Sequence, residues 1–145
     1  MTMQYPLSGV KVLDMSRVLA GPFAGRMLCD LGAEVVKVEP PARDVTRTLG
    51  RKVGTISGYF HQQNAGKQNI SVDLSSTEGT ALLTELVVST DILIENFRPG
   101  VMERLGLDWS RLKQINPALI MLSISGFGQD GPEAKRAAYA PVIHA

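Results

Sequence analysis

The sequence predicts an α/β fold built on an open, mainly parallel sheet flanked by helices. Three observations predict it. Five short apolar runs rich in Val and Ile recur at roughly even intervals: Val10–Met15, Glu34–Glu39, Asn69–Leu74, Asp91–Glu95 and Leu119–Ser125. Runs this short read as buried strands rather than helices. A helical pattern separates the first two runs, and strand–helix–strand favours a parallel pair joined by a right-handed crossover. Lys plus Arg (15) nearly balances Asp plus Glu (14), hydrophobic residues make up 44% of the 145, and charged residues 20%. That composition suits one globular core and excludes a disordered chain.

The first connection runs from Ala20 to Gly32. Pro22 suits the first helical position, where its missing N–H has no partner in any case. Phe23, Met27 and Leu31 recur every four residues and predict one buried stripe, and Gly32 suits a C-terminal stop. The stretch Pro40–Ser57 has no apolar period and carries Pro40, Pro41, Gly50 and Gly54, which predicts a long loop. A short helix follows over Ser57–Asn64, with His61 on its face. A longer one is predicted over Thr77–Ser89, with Ser75 and Glu78 as a capping box and Leu82, Leu83, Leu86 and Val87 as its apolar face. Two helical turns are expected at Pro99–Leu105 and Trp109–Asn116, the latter stopped by Pro117. From Gly126 to Pro132 the chain is turn-rich. The final residues, Ala140–Ala145, are apolar, carry no stop signal and read as the opening of a further element.

Composition and motifs exclude several function classes. The net charge of +1 argues against a nucleic-acid arm and a polybasic membrane tail. Cys29 is the only cysteine, so a disulfide framework is excluded, a reducing compartment fits, and a buried structural thiol is the expected role. The longest apolar runs are far short of the ~20 residues a bilayer-spanning helix needs. The N-terminus has no basic region followed by an apolar one. The expectation is a cytoplasmic protein with no membrane partner. The second strand ends in an acid, Glu39, but the turn after the first reads Asp14 to Pro22 with a single glycine, so the dinucleotide fingerprint is missing. His61 and His144 have no Cys, His or carboxylate at metal-ligand spacing, and no metal is expected. Ser16, Ser123 and Ser125 lie outside any Gly-x-Ser-x-Gly elbow.

The stretch Glu95-Asn96-Phe97-Arg98-Pro99-Gly100, with Arg104 shortly after it, carries more chemistry. It follows a strand end, where ligands of parallel sheets gather. Asn96 offers a two-way amide, Phe97 a stacking face, and Arg98 and Arg104 fixed positive charge. The group suits an aromatic base with phosphates, and an ordinary capped turn with solvated arginines is the equal alternative.

Six blocks stand in order along the chain: Val12–Pro22, Leu31–Pro41, Asn69–Leu74, Glu95–Gly100, Asn116-Pro117 and Ser125–Pro132. The ordered set resembles the N-terminal part of the class III (formyl-CoA transferase type) CoA-transferases, the family that includes carnitine CoA-transferase and α-methylacyl-CoA racemase. The resemblance implies that residues 1–145 are an incomplete, Rossmann-like CoA-binding domain, without the C-terminal part and small domain of an interlocked homodimer. It implies coenzyme A or acyl-CoA and a carboxylic acid as the small-molecule partners. By the same resemblance Arg17, Val18, Leu19 and Ala20 lie beside the thioester and pantetheine end, and Val72, Asp73 and Leu74 line the adenine pocket through backbone groups. Asn96 and Phe97 contact CoA, Arg104 meets its phosphates, and Tyr139 falls in the loop that approaches from the other side. A polyanion such as CoA calls for local positive charge, which Arg17, Lys37, Arg98 and Arg104 can provide.

Several positions depart from the family pattern. Leu19 stands where some members have Gln, and Pro40 where formyl-CoA transferase has an arginine. Tyr139 followed by Ala140 stands where the racemases have a His followed by Asp. A phenol is a poor proton acceptor at neutral pH, which favours CoA transfer over the racemase alternative. The family's aspartate nucleophile, which carries the acyl group as an anhydride, belongs to a Gly-Asp segment beyond Ala145. Asp130 lies in a different block. No catalytic residue is therefore assigned within these residues, the chain alone is expected to be inactive, and a non-catalytic acyl-CoA-binding module is the alternative from another class.

Overall fold

The five apolar runs become the five strands of one sheet. The computed structural model describes residues 5–139. In it the sheet strands are β1 (Lys11–Asp14), β2 (Glu34–Glu39), β5 (Gln68–Ser71), β6 (Ile92–Glu95) and β7 (Ile120–Ser123). A separate antiparallel hairpin, β3 (Lys52–Val53) and β4 (Ile56–Ser57), lies between β2 and β5. The sheet order is β5-β2-β1-β6-β7 and every neighbouring pair is parallel. Leu13 in central β1 is level with Val36 on one side and Leu93 on the other. The chain walks outward from β1 through β2 to β5, then returns to place β6 on the far side of β1. This is a doubly wound sheet with its switch point between β1 and β6.

The strands are shorter than the apolar runs because the runs extend into the turns. Parallel alignment continues a residue past each strand: the Met15 N–H donates to the Ile94 carbonyl (2.8 Å), that of Val72 to Glu39 (2.8 Å) and that of Ile124 to Glu95 (3.0 Å). Side chains alternate across the sheet as the period of two requires. Val12, Val35 and Ile94 pack on one face with Leu28 of α1 (Ala20–Asp30), against which α2 (Gly58–Asn64) also lies. Leu13, Met15, Val38 and Leu93 pack on the other face. There they meet Leu83 and Val87 of α3 (Thr77–Val88), Met102 of α4 (Val101–Arg104) and Leu112 of α5 (Trp109–Ile115).

Five local expectations are corrected. Phe23, Met27 and Leu31 are exposed (53%, 52% and 45%) rather than buried. The buried residues of α1 are Gly21, Pro22 and Gly25. The helix lies so close to the end of β1 that a Cβ on Gly25 would stand 2.8 Å from the Asp14 carboxylate, and one on Gly21 would overlap Ser16. Small residues permit that approach, and it rotates the large apolar side chains outward. Pro22 is the third helical residue rather than the first, still within the turn whose N–H groups have no intrahelical partner. The cap of α3 is Ser76, whose hydroxyl accepts from the Gly79 N–H (3.0 Å). Ser75 instead donates its hydroxyl to Asp73 (2.6 Å). The stretch 40–57 is more than a loop, because it holds a 3₁₀ turn at Val45–Arg47 and the β3–β4 hairpin. Cys29 is half-buried rather than fully so. Residues 140–145, including the predicted further element and His144, lie outside the described residues. No helix among the described residues is long and apolar enough to cross a membrane.

Candidate functional site

A cavity of about 970 Å³ opens at the carboxyl ends of the strands. Met15 and Arg17 enter it from the end of β1, and Val38, Glu39 and Pro40 from β2. Residues Val72 to Ser75 enter from the turn after β5, Asn96 to Pro99 from the turn after β6, and Val101, Arg104 and Leu105 from α4 and its end. Lys135 and Tyr139 complete the wall. Apolar Met15, Val38, Val72, Leu74 and Leu105 stand beside four cations, Arg17, Arg98, Arg104 and Lys135. A surface that is partly apolar and partly cationic suits a ligand joining an aromatic ring to phosphates.

Local geometry explains how these side chains arrive. Gly100 takes φ +85°, which a side chain rarely tolerates, and so turns the chain from β6 into α4 within five residues of Glu95. That turn sets Arg98 and Arg104 on one rim. Arg17 lies with its guanidinium carbon 5.4 Å from the centre of the Phe97 ring, a cation–π arrangement that draws the two together. The Asn96 amide is engaged with the main chain: Oδ1 accepts from the Arg17 N–H and Nδ2 donates to the Arg17 carbonyl, both at 2.7 Å. In the turn after β5 the Val72 N–H is bound to Glu39, and the Asp73 carbonyl accepts from the Ser76 hydroxyl (2.8 Å). The Ser75 hydroxyl and N–H hold the exposed Asp73 carboxyl below its ordinary pKa.

Two buried carboxylates close strands at the site. Glu39 accepts four hydrogen bonds, from Arg47 Nε (2.7 Å) and Nη2 (2.6 Å), Asn69 Nδ2 (2.5 Å) and the Asp44 N–H (3.0 Å). Burial alone would raise its pKa, but the Arg47 and Asp44 hydrogen bonds and the charges of Arg47 and Lys37 outweigh it and hold the carboxyl below its ordinary value. Glu95 accepts from the Phe97 N–H (2.7 Å). Burial pushes its pKa up, hydrogen bonds from Ser123 and Phe97 offset only part of that, and the nearby Glu103 carboxylate adds to the rise. Glu95 faces a smaller cavity of about 170 Å³ shared with Arg98, Trp109 and Gln129.

Of the residues singled out in the sequence, Arg17, Val72, Asp73, Leu74, Asn96, Phe97, Arg98, Arg104 and Tyr139 line the large cavity. Val18, Leu19 and Ala20 are exposed on the turn beside it and are not among its lining. Lys37 is not available to a ligand: its side chain is 1% exposed, donates to the Ser16 carbonyl (2.8 Å) and pairs with Asp44 (3.4 Å). Sequence reasoning missed Lys135 and Ser75. The pattern around Ser75 reads only as a helix cap, and Lys135 stands in a turn-rich stretch where its sequence carries no distinctive signal. Among the described residues no three His, Cys, Asp or Glu side chains are grouped to hold a metal ion.

Known proteins resemble this chain in sequence and fold. The chain is 48% identical over 141 residues to an acetyl-CoA:oxalate CoA-transferase of Acetobacter aceti, covering 97% of this chain and 36% of that protein. It is 46% identical over 142 residues to the human succinyl-CoA:glutarate CoA-transferase, covering 97% of this chain and 32% of that one. The fold superposes on the crystal structure of a CAIB/BAIF family protein from Brucella suis with a TM-score of 0.92 at 47% identity, covering 98% of this chain and 39% of that chain. The chain thus spans about a third of the length of the relatives it matches. Residues 7–145 match the family described as CoA-transferase family III, and the chain belongs to that family.

Proposed function

We propose that this chain is the CoA-holding portion of an acyl-CoA transferase, one that moves CoA from an acyl-CoA to a carboxylic acid. The observation that carries the reading is the cavity at the strand ends, where apolar Val38, Val72, Leu74 and Phe97 stand beside Arg17, Arg98, Arg104 and Lys135. Coenzyme A combines an adenine ring with three phosphate groups on one flexible chain, and needs both kinds of surface. In this reading backbone groups of Val72, Asp73 and Leu74 meet the adenine, and Arg98, Arg104 and Lys135 neutralise phosphates. The pantetheine arm runs toward the turn Arg17, Val18, Leu19 and Ala20. The names of the relatives, which transfer CoA among oxalate, succinate and glutarate, support the reaction class.

The chemistry on this account passes through an aspartyl anhydride and then an aspartyl thioester. The nucleophile belongs to a segment following the matched blocks, and no described residue takes that role. The described residues bind the nucleotide, orient the thioester and exclude water from it. A calorimetric titration of coenzyme A into the protein tests the binding role. Saturable one-to-one binding is expected, and Arg104→Ala weakens it by about 1–3 kcal/mol through loss of a charge-assisted phosphate contact. No binding by the native chain, or unchanged affinity in a folded Arg104→Ala variant, contradicts the assignment.

A further inference from the structure

The turn after β1 is held by side chains at five consecutive main-chain groups. The Ser16 N–H donates to Asp14 Oδ1 (3.0 Å), and the Ser16 carbonyl accepts from Lys37 Nζ (2.8 Å). The Arg17 N–H and carbonyl are both taken by the Asn96 amide (2.7 Å each), and the Val18 N–H donates to Asp44 Oδ2 (3.3 Å). These four side chains come from β1, β2, the loop after β2 and the turn after β6. Asp14, Lys37 and Asp44 are 2% exposed or less. They are fixed in turn: Asp14 pairs with Lys67 (2.7 Å), and Asp44 accepts from the Thr46 N–H and hydroxyl (2.9 and 2.7 Å).

The cage holds a strained conformation. Val18 has φ +68°, a left-handed geometry that is a true outlier for a β-branched residue. Such a residue persists only where its surroundings over-determine it. Asn96 supplies two of the five bonds and is the only cage member at the mouth of the cavity. Both ends of its amide are spent on Arg17, so its polar atoms are already engaged before a ligand arrives.

We infer that Asn96 is a positioning residue: it locks the Arg17 main chain, keeps Val18 left-handed and so aims the Arg17 side chain into the cavity toward the pantetheine end of bound CoA. The inference rests on the CoA reading above. Loss of the clamp frees Val18 to relax to negative φ, which swings Arg17 away from Phe97. The nucleotide half of the ligand, held by the Val72–Leu74 turn and Arg104, is then unaffected.

Binding of two ligands, coenzyme A and adenosine 3′,5′-bisphosphate, by native protein and variants tests this. Asn96→Ala is expected to weaken coenzyme A about tenfold, the effect of losing two net hydrogen bonds, while the bisphosphate binds within about twofold of native. Asn96→Asp keeps the acceptor for the Arg17 N–H, folds as an isostere and shows a smaller loss with the same split. Adding Val18→Gly to Asn96→Ala restores part of the affinity for coenzyme A, because glycine occupies positive φ without strain. A purely structural role for Asn96 gives no such recovery. Native affinity in both Asn96 variants, equal loss of both ligands, or no recovery from Val18→Gly overturns the inference. Failure of the native protein to bind either ligand overturns the CoA reading itself, and this inference with it.

Discussion

Glu39 and Glu95 hold matching places in the fold, and their pKa values shift in opposite directions. Each is the last residue of a parallel strand, each is 2% exposed, and they flank central β1 on opposite sides. Burial pushes both carboxyls toward the neutral form. Both strands have neighbours on each side, but at Glu39 burial is outweighed because a long loop folds back over the end of β2. That loop delivers Arg47 and the Asp44 N–H, while β5 delivers Asn69. At Glu95 a short turn leads straight to α4 and offers the Phe97 N–H, with Ser123 from β7 beside it. Both are almost fully buried; the supply of cationic partners decides the direction in which each pKa moves.

Removing the partner is the strongest way to break the contrast. Arg47→Ala leaves Glu39 buried beside the lone donors of Asn69 and Asp44, and a cost of about 2–3 kcal/mol in urea unfolding is expected, less than for a fully buried pair because Arg47 is partly exposed (31%). Arg47→Lys restores the charge without the two-pronged fork, and should recover only part of that loss.

The reverse change at the other strand carries a smaller effect of opposite sign. A carboxyl with a raised native pKa favours protonation on folding, so its contribution to stability falls as pH rises through the native pKa. Glu95→Gln removes that decline, and at neutral pH the variant should match or exceed native stability by up to about 1 kcal/mol. Near pH 4, where native Glu95 is protonated, the two proteins should coincide. A variant much less stable than native at neutral pH would mean the Glu95 charge is needed by the fold.

Smaller still is the acid limb of the native protein. Glu39 and Asp44 have lowered pKa values; at Asp44 burial is outweighed by the Thr46 hydrogen bonds, the Lys37 charge and the Val18 N–H. Their stabilisation is complete above the unfolded carboxylate range and is lost as pH falls below about 4 through their native values. Thermal melts between neutral pH and pH 3 should show this loss, and it should shrink in Arg47→Ala.

The same contrast explains what the sequence carried and what it did not. The strands were legible because Val and Ile runs of four to six residues between breakers have few other uses, and the turn after β6 was legible because its residue types are chemically distinctive. The face of α1 was not legible: periodicity finds the apolar stripe Phe23, Met27 and Leu31, but glycines decide which side of a helix can approach a strand end, and they turned that stripe outward. Lys37 read as a free cation because its partner Asp44 is reached only when the 40–57 stretch folds back as a 3₁₀ turn, in a segment without apolar period. The engagement of Asn96 with Arg17 joins residues 79 apart in the chain, and no local pattern announces it.

The central claim is that the strand-end cavity is the coenzyme A site. Amide chemical-shift mapping during a coenzyme A titration tests it most directly. The account predicts saturable shifts confined to Arg17–Ala20, Val72–Ser75, Asn96–Arg98, Arg104 and Lys135, with α5 and the β3–β4 hairpin unmoved. Shifts that cluster on the hairpin or on α5, or no saturable shifts at all, would contradict it.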